Sequence, residues 1–123
     1  MANPNIVNVA TINGNVKAAA ILTTIGEIVS NAASSGKIFK INSLYVANID
    51  GTASVDITVN HYSQAALGGT AIAVASTVAV AADSTLVVVT KDTAIYLLEN
   101  QSMGILASAA GDAVYTCSWD EIS

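Results

Sequence analysis

Arginine is absent from this sequence, and its four basic residues, all lysines, stand against nine carboxylates at a net charge of −5. Arginine supplies the bidentate grip on phosphates and bases that nucleic-acid-binding proteins use, and a membrane-binding patch needs clustered basic residues. The composition therefore argues against nucleic acids and membranes as partners. An acidic surface without arginine suits contact with other proteins or with solvent.

Charged residues of both signs are scarce. They make up 11% of the 123 residues, against roughly 25% in an average soluble domain, whereas hydrophobic residues make up 53%. Few charges remain to keep a free monomer dispersed, so we expect partner proteins to cover much of the surface. The longest apolar run, residues 71–82, is shorter than the roughly 20 residues that a membrane-spanning helix needs.

Cysteine and histidine occur once each, as Cys117 and His61. One cysteine can form neither an intrachain disulfide nor a cysteine-based metal cluster. His61 continues the apolar face of a predicted strand, and no Gly-x-Ser-x-Gly elbow accompanies it, which favours a histidine at the core margin over a catalytic one. Cys117 has no cation near it in sequence, which favours a buried, inert thiol over a reactive one.

The carboxylates form no recognisable catalytic or metal-binding pattern. Asp120 and Glu121 are neighbours that point to opposite sides of a strand. Asn48, Asp50 and Asp56 could approach a calcium ion, but their spacing matches no EF-hand loop, and a solvated turn is favoured. The glycines are scattered and form no phosphate-binding motif. We therefore expect no enzymatic activity, no cofactor and no metal.

Residues 36–62 predict two strands joined at Asp50-Gly51, because Asp-Gly between two apolar-patterned runs is a strong hairpin signal. In the second run Val55, Ile57 and Val59 alternate with polar residues, as in a half-buried antiparallel strand.

The first run of this predicted hairpin is apolar on both faces. One face carries Phe39, Ile41, Ser43, Tyr45 and Ala47, and the other carries Lys40, Asn42, Leu44, Val46 and Asn48. Such a strand lies between two layers or faces a neighbouring subunit. We therefore select Leu44, Tyr45 and Val46 as candidate anchors of a protein interface.

The remaining segments have the same pattern of short strands separated by turns. Strands are predicted over 5–12, 16–23 (after a turn at Asn13-Gly14), 26–29 (a separate strand, or a continuation of the second after a bulge at Gly26), 71–80 (with a bend or turn near Ser76-Thr77), 86–89 (covered on both faces), 94–99, 102–108 and 113–122. Eight to ten short strands indicate one all-β domain over residues 1–123, an antiparallel β-sandwich of jelly-roll or Greek-key type. Residues 1–5 are candidates for a loose N-terminal arm.

Three segments resemble small virion proteins of tailed bacteriophages. They are NPNIVNVATING, KIFKINSLYVANIDGTASVDITV and AIYLLENQSMGILASAAGDAVYTCSWDEIS. The resemblance contains no catalytic motif and transfers no functional residues. It implies a structural role in the virion, foremost as a capsid decoration (cement) subunit bound to the major capsid protein or to other virion proteins. A neck, tail or fibre component is the alternative within this class.

Two expectations about partners follow. Low charge and unpaired strand edges favour a homo-oligomer, with a trimer favoured for a head decoration. A receptor- or glycan-binding module is the alternative from a different class, because sugars stack on aromatic rings. Its candidate residues are Trp119, Tyr45, Tyr62, Tyr96 and Tyr115.

Overall fold

The computed structural model describes residues 10–123, which form two antiparallel β-sheets packed face to face. The strands are β1 (Ile12–Ala20), β2 (Gly26–Asn31), β3 (Ile38–Asn48), β4 (Val55–Gln64), β5 (Gly68–Val80), β6 (Thr85–Val89), β7 (Ile95–Leu97), β8 (Gln101–Ala107) and β9 (Ala113–Ile122). A short 3-10 turn, Lys91–Thr93, separates β6 from β7. The predicted all-β sandwich is confirmed.

The two sheets interleave along the chain. The first sheet has the order β1-β9-β3, with β6 and β7 following one another along the far edge of β3, and the second has the order β2-β8-β4-β5. Successive strands alternate between the two sheets, except that β5 stays in the sheet of β4 and β7 stays in the sheet of β6. This interleaving is that of a jelly roll, one of the two topologies that the sequence predicts.

The core lies between the sheets and is built from the alternate residues of each strand. Val55, Ile57 and Val59 of β4 are buried, which confirms the predicted core face of that strand. Facing them across the sandwich, β9 contributes Tyr115 and Cys117. The apolar alternation therefore predicts the inward positions correctly wherever a strand keeps its register.

The Asp50-Gly51 turn does not form the predicted hairpin, because β3 and β4 belong to different sheets. The buried side chain of Asn48 donates from Nδ2 to the carbonyl oxygens of Ala53 and Val80 and accepts from the Asp50 N–H. These bonds hold the loop at the end of β3, and the chain crosses to the second sheet. The hairpin of this region is β4–β5, which turns over residues 65–67.

Two further expectations are wrong. Asn13 and Gly14 lie inside β1, opposite Glu121 and Asp120 of β9, where the sequence predicts a turn. Strand β6 is an edge strand with Val87 56% exposed, where the sequence predicts cover on both faces. The predicted arm at residues 1–5 and most of the predicted strand 5–12 lie outside the described residues.

The sequence predicts a bend or a turn near Ser76-Thr77, and the structure has the bend. Thr77 has a φ of 45°, and the register of β5 against β4 shifts between Ile57 and Val59, opposite this point. An extra residue on one strand of an antiparallel pair bends that strand and increases its twist. The Ser76-Thr77 region is therefore a β-bulge within one long strand.

Candidate interaction surface

A register shift in β3 decides which of its side chains face outward. Ile41 lies opposite Trp119 of β9, but Ser43 lies opposite the adjacent Ser118, so Asn42 is an extra residue. Because a bulge restarts the alternation of side chains, the core-facing parity changes at this point. Before the bulge Phe39 and Ile41 face the core.

After the bulge the core-facing residues are Leu44 and Val46, and neither has any exposed surface. Tyr45, between them, faces outward and is 40% exposed. Of the three predicted interface anchors, Tyr45 alone is therefore available to a partner, and Leu44 and Val46 are core residues. With the extra residue, the core-facing side chains of both halves of β3 lie on the same side of the sheet. Read with unbroken alternation, the strand is apolar on both sides.

The strand register shows what surrounds Tyr45, because directly opposite residues in an antiparallel pair share a face of the sheet. Tyr45 lies between Thr116 of β9 and Val87 of β6, and Thr116 lies opposite Ala18 of β1. The surface that we call the Tyr45 face comprises Val16, Ala18, Ala20, Ser43, Tyr45, Ala47, Thr85, Val87, Val114, Thr116 and Ser118.

None of these eleven residues is charged, and Val16 and Val87 are 69% and 56% exposed. The first charges along the same outer face, Lys40 and Asp120, lie opposite each other towards the other end of the sheet. A strand spacing of about 4.8 Å and a two-residue repeat of about 6.8 Å give this patch about 350 Å² of flat area. It is an uncharged, mostly apolar patch on a charge-poor protein.

The residues with reactive side chains are held in structural contacts. His61 Nε2 lies 3.3 Å from Gln101 Oε1. Cys117 is buried, and burial raises the pKa of its thiol to about 12, so it stays protonated at neutral pH. This position confirms the predicted buried thiol.

Asp50 closes a turn, as the sequence favours. Its Oδ1 accepts hydrogen bonds from the N–H and the hydroxyl of Thr52, and the backbone bond lowers the pKa of Asp50. The amide of Asn48 is used within the same loop, so these two side chains are occupied without a cation. Residues 10–123 contain no group of three or more His, Cys, Asp or Glu side chains that could hold a metal ion.

The aromatic residues considered for sugar binding are dispersed. Tyr62 and Tyr115 are buried, and Trp119 is half-buried against the core. Tyr45 and Tyr96 are each 40% exposed on the outer face of the first sheet, but their rows in the register stand roughly 15 Å apart. One sugar ring cannot stack on both, so the structure offers no paired aromatic platform in the described residues.

A cleft of about 210 Å³ opens between the edges of β1 and β2. Lys17 crosses its mouth and donates to the carbonyl oxygen of Glu27 at 3.0 Å, and Tyr115 and Ile105 contribute to its lining. Small-molecule sites are typically about 300–1,000 Å³. This cleft is smaller and is a weaker candidate than the Tyr45 face. Among residues 10–123, no helix is long and apolar enough to cross a membrane.

Comparison with known proteins shows the fold and no family. No protein-family model and no curated protein matches the chain. Among solved structures, the chain is similar to one described as "Bacillus endospore appendages form a novel family of disulfide-linked pili", with a TM-score of 0.56 and 18% identity over 100% of this chain and 96% of that one. At this identity the likeness supports the β-sandwich alone.

Proposed function

We propose that this chain is a non-enzymatic structural subunit of a tailed-phage virion, a decoration subunit that binds the head through the Tyr45 face. The observation that carries the proposal is the uncharged patch around a 40%-exposed Tyr45, on a chain that resembles small virion proteins. Tyrosine is enriched among the residues that dominate binding energy at interfaces. The subunit would act by adding buried area at junctions of the shell.

The size of the patch argues for several contacts per subunit. A standard interface buries about 800 Å² on each partner, more than twice the flat area of the Tyr45 face. The roughly 700 Å² that this face and its partner would bury together is below the about 1,200 Å² at which stable specific interfaces begin. One such contact is therefore weak. A subunit held by two neighbours at once gains effective concentration, and this suits a repeating shell.

Assembly of this chain would not use disulfide bonds. The similar structure is described as a disulfide-linked pilus. Here the one cysteine, Cys117, is buried in β9 with a raised pKa, so a disulfide to another copy would require opening of the sandwich. A filament, fibre, neck or tail subunit is the second candidate, supported by the likeness in fold, and it too would be joined by non-covalent contacts.

Substitution of Tyr45 tests the proposed face. Tyr45→Asp places a charge without a partner at the junction and should weaken binding to phage heads assembled without this protein by about 2–4 kcal/mol, or about 30- to 1,000-fold in Kd. Tyr96→Asp is the matched control, because Tyr96 is equally exposed on the same outer face but lies beside Lys40. Equal binding of wild type and Tyr45→Asp would refute this role for the face.

The copy number per particle separates the two candidates. Quantitative mass spectrometry of purified particles should give a number on the order of hundreds for a head decoration and on the order of ten for a neck or tail component. We also propose that the protein acts as a homo-oligomer. A trimer is the state that the sequence favours for a head position.

A further inference from the structure

Within residues 10–123, strand β5 has one edge that pairs with no other strand. It is 13 residues long, the longest strand of the fold, and pairs on one side with β4 alone. In the part of the chain that the structure describes, no backbone hydrogen bond joins its other edge to another element. A row of free N–H and C=O groups on a strand edge is a template for another strand.

The side chains of β5 are exposed and apolar. From Gly68 to Ala79 none is buried, and Ile72 and Val74 are 62% and 38% exposed. The register of β5 against β4 shifts at three places, and residues 71–73 form the unbroken stretch between two of these shifts. Every residue of the segment 70–74 is exposed.

This edge lacks most of the devices that protect other edges. Natural edge strands are blunted by charged side chains, by proline, by shortness or by β-bulges, and β5 has bulges but none of the other three. Strands β1 and β2 carry Lys17 and Glu27, and β6 and β7 have five and three residues. In contrast, β5 lies within residues 57–82, a stretch of 26 residues with no Asp, Glu, Lys or Arg and no proline. It is the edge strand that is both long and uncharged.

We propose that β5 pairs antiparallel with β5 of a second copy of this chain, about a two-fold axis near Ile72. An unpaired strand edge can be satisfied by an extended strand, and a two-fold contact uses the same patch twice. A chain with a net charge of −5 repels its own copies, so self-association favours a contact that brings no charges together. The β5 edge meets this condition on both sides of the axis.

The contact would join the two four-stranded sheets into one continuous eight-stranded sheet across the dimer. Ile72 of one copy would lie against Ile72 of the other, and Ala71 would lie against Ala73, within the stretch that keeps its register. A two-fold contact produces a dimer, whereas the sequence favours a trimer, so the measured mass distinguishes the two. The proposal uses β5 and not the Tyr45 face, so its failure would leave the proposed binding of that face to the head intact.

Light scattering of the purified chain gives the first test. The wild type should have the mass of a dimer at tens of micromolar, and Ile72→Lys should raise the dimer Kd about 100-fold or more, because two like charges meet at the axis. Ile12→Lys is the control, because Ile12 is 59% exposed, lies on an edge strand of the other sheet and is outside the Tyr45 face. A monomeric or trimeric wild type, or a dimer that persists in Ile72→Lys, overturns the proposal.

Disulfide trapping tests the two-fold geometry. Because Cys117 is buried and stays protonated, an introduced cysteine supplies the reactive thiol. Ile72→Cys should form a covalent dimer under mild oxidation, since directly opposite Cβ atoms lie about 4.5–5.5 Å apart. Ile12→Cys should stay monomeric on a non-reducing gel. A dimer trapped through Ile12→Cys and absent in Ile72→Cys would refute β5 pairing, and circular dichroism checks that each variant is folded.

Discussion

Removal of the Asn48 side chain should be among the most destabilising single substitutions in this protein. Asn48 is 2% exposed, and its Nδ2 donates to the carbonyl oxygens of Ala53 and Val80, each at 2.9 Å. Its Oδ1 accepts from the Asp50 N–H, also at 2.9 Å. In Asn48→Ala all three bonds are lost, of which the bond to Val80 O is buried and the other two are partly buried.

The magnitude follows from these three bonds. Each contributes about 1 kcal/mol net, and a buried group left without a partner costs about 1–3 kcal/mol. We therefore expect Asn48→Ala to lower the free energy of unfolding by about 3 kcal/mol. At about 2.1 cal/mol/K per residue, the unfolding entropy of a 123-residue chain is about 0.26 kcal/mol/K, so the Tm should fall by about 12 °C.

Urea denaturation followed by the fluorescence of Trp119, the single tryptophan, measures this change. Asn13→Ala, at an exposed position of β1, is the control and should shift stability by less than about 0.5 kcal/mol. Asn31→Ala should resemble Asn48→Ala, because Asn31 is fully buried and donates to Lys37 O and Leu97 O. A loss below about 1 kcal/mol for Asn48→Ala would refute the claim that this side chain anchors the crossing between sheets.

Two further predictions concern buried residues of the sandwich. The pKa of Cys117 rises from 9.0 to about 12 on folding, so its contribution to stability is complete below pH 9 and is lost as the pH rises towards 12. By pH 10.5 this loss is about 2 kcal/mol. In urea titrations, the free energy of unfolding of Cys117→Ala should therefore decline less steeply with rising pH than that of the wild type. The substitution itself costs about 1–2 kcal/mol. Gly104→Ala should cost about 1–3 kcal/mol, because a Cβ there would lie 2.8 Å from Leu67 Cδ2 and 3.0 Å from Gly26 O. In Gly26→Ala the nearest atom to the new Cβ is 3.8 Å away, so thermal unfolding should show little change.

The alternation of apolar residues identified most strands, because it reflects which side chains along each single strand are buried. In β4 and β9 the residues predicted to face the core do so, since Val55 to Val59 and Ala113 to Cys117 keep one parity. The same alternation does not specify which strand is the neighbour. The Asp50-Gly51 turn was assigned to a hairpin because turn residues report a change of direction, whereas the buried bonds of Asn48 direct the chain to the other sheet.

The candidate interface was predicted only in part for a related reason. One extra residue at Asn42 reverses the parity of β3 and places Leu44 and Val46 in the core. A bulge of this kind leaves little trace in a single sequence, because a polar residue at that position fits either parity. Tyr45 faces outward once the bulge is known, and its uncharged surroundings come from β1, β6 and β9, which no local pattern associates with it.

The position of the last two strands has a consequence for how the chain folds. Strand β8 lies between β2 and β4, and β9 lies between β1 and β3. Among residues 10–123, β1 and β2 therefore have no hydrogen-bonded neighbouring strand until residues 101–122 have been synthesised. Bringing strands that are distant in sequence together costs loop-closure entropy before any stabilising contact forms. Topologies of this kind therefore fold slowly. The β4–β5 hairpin can form early, but the sandwich closes only when the chain emerging from the ribosome includes its final strand. Until then the uncharged edge of β5 is presented by an incomplete domain, which is the stage at which newly made copies are most exposed to one another.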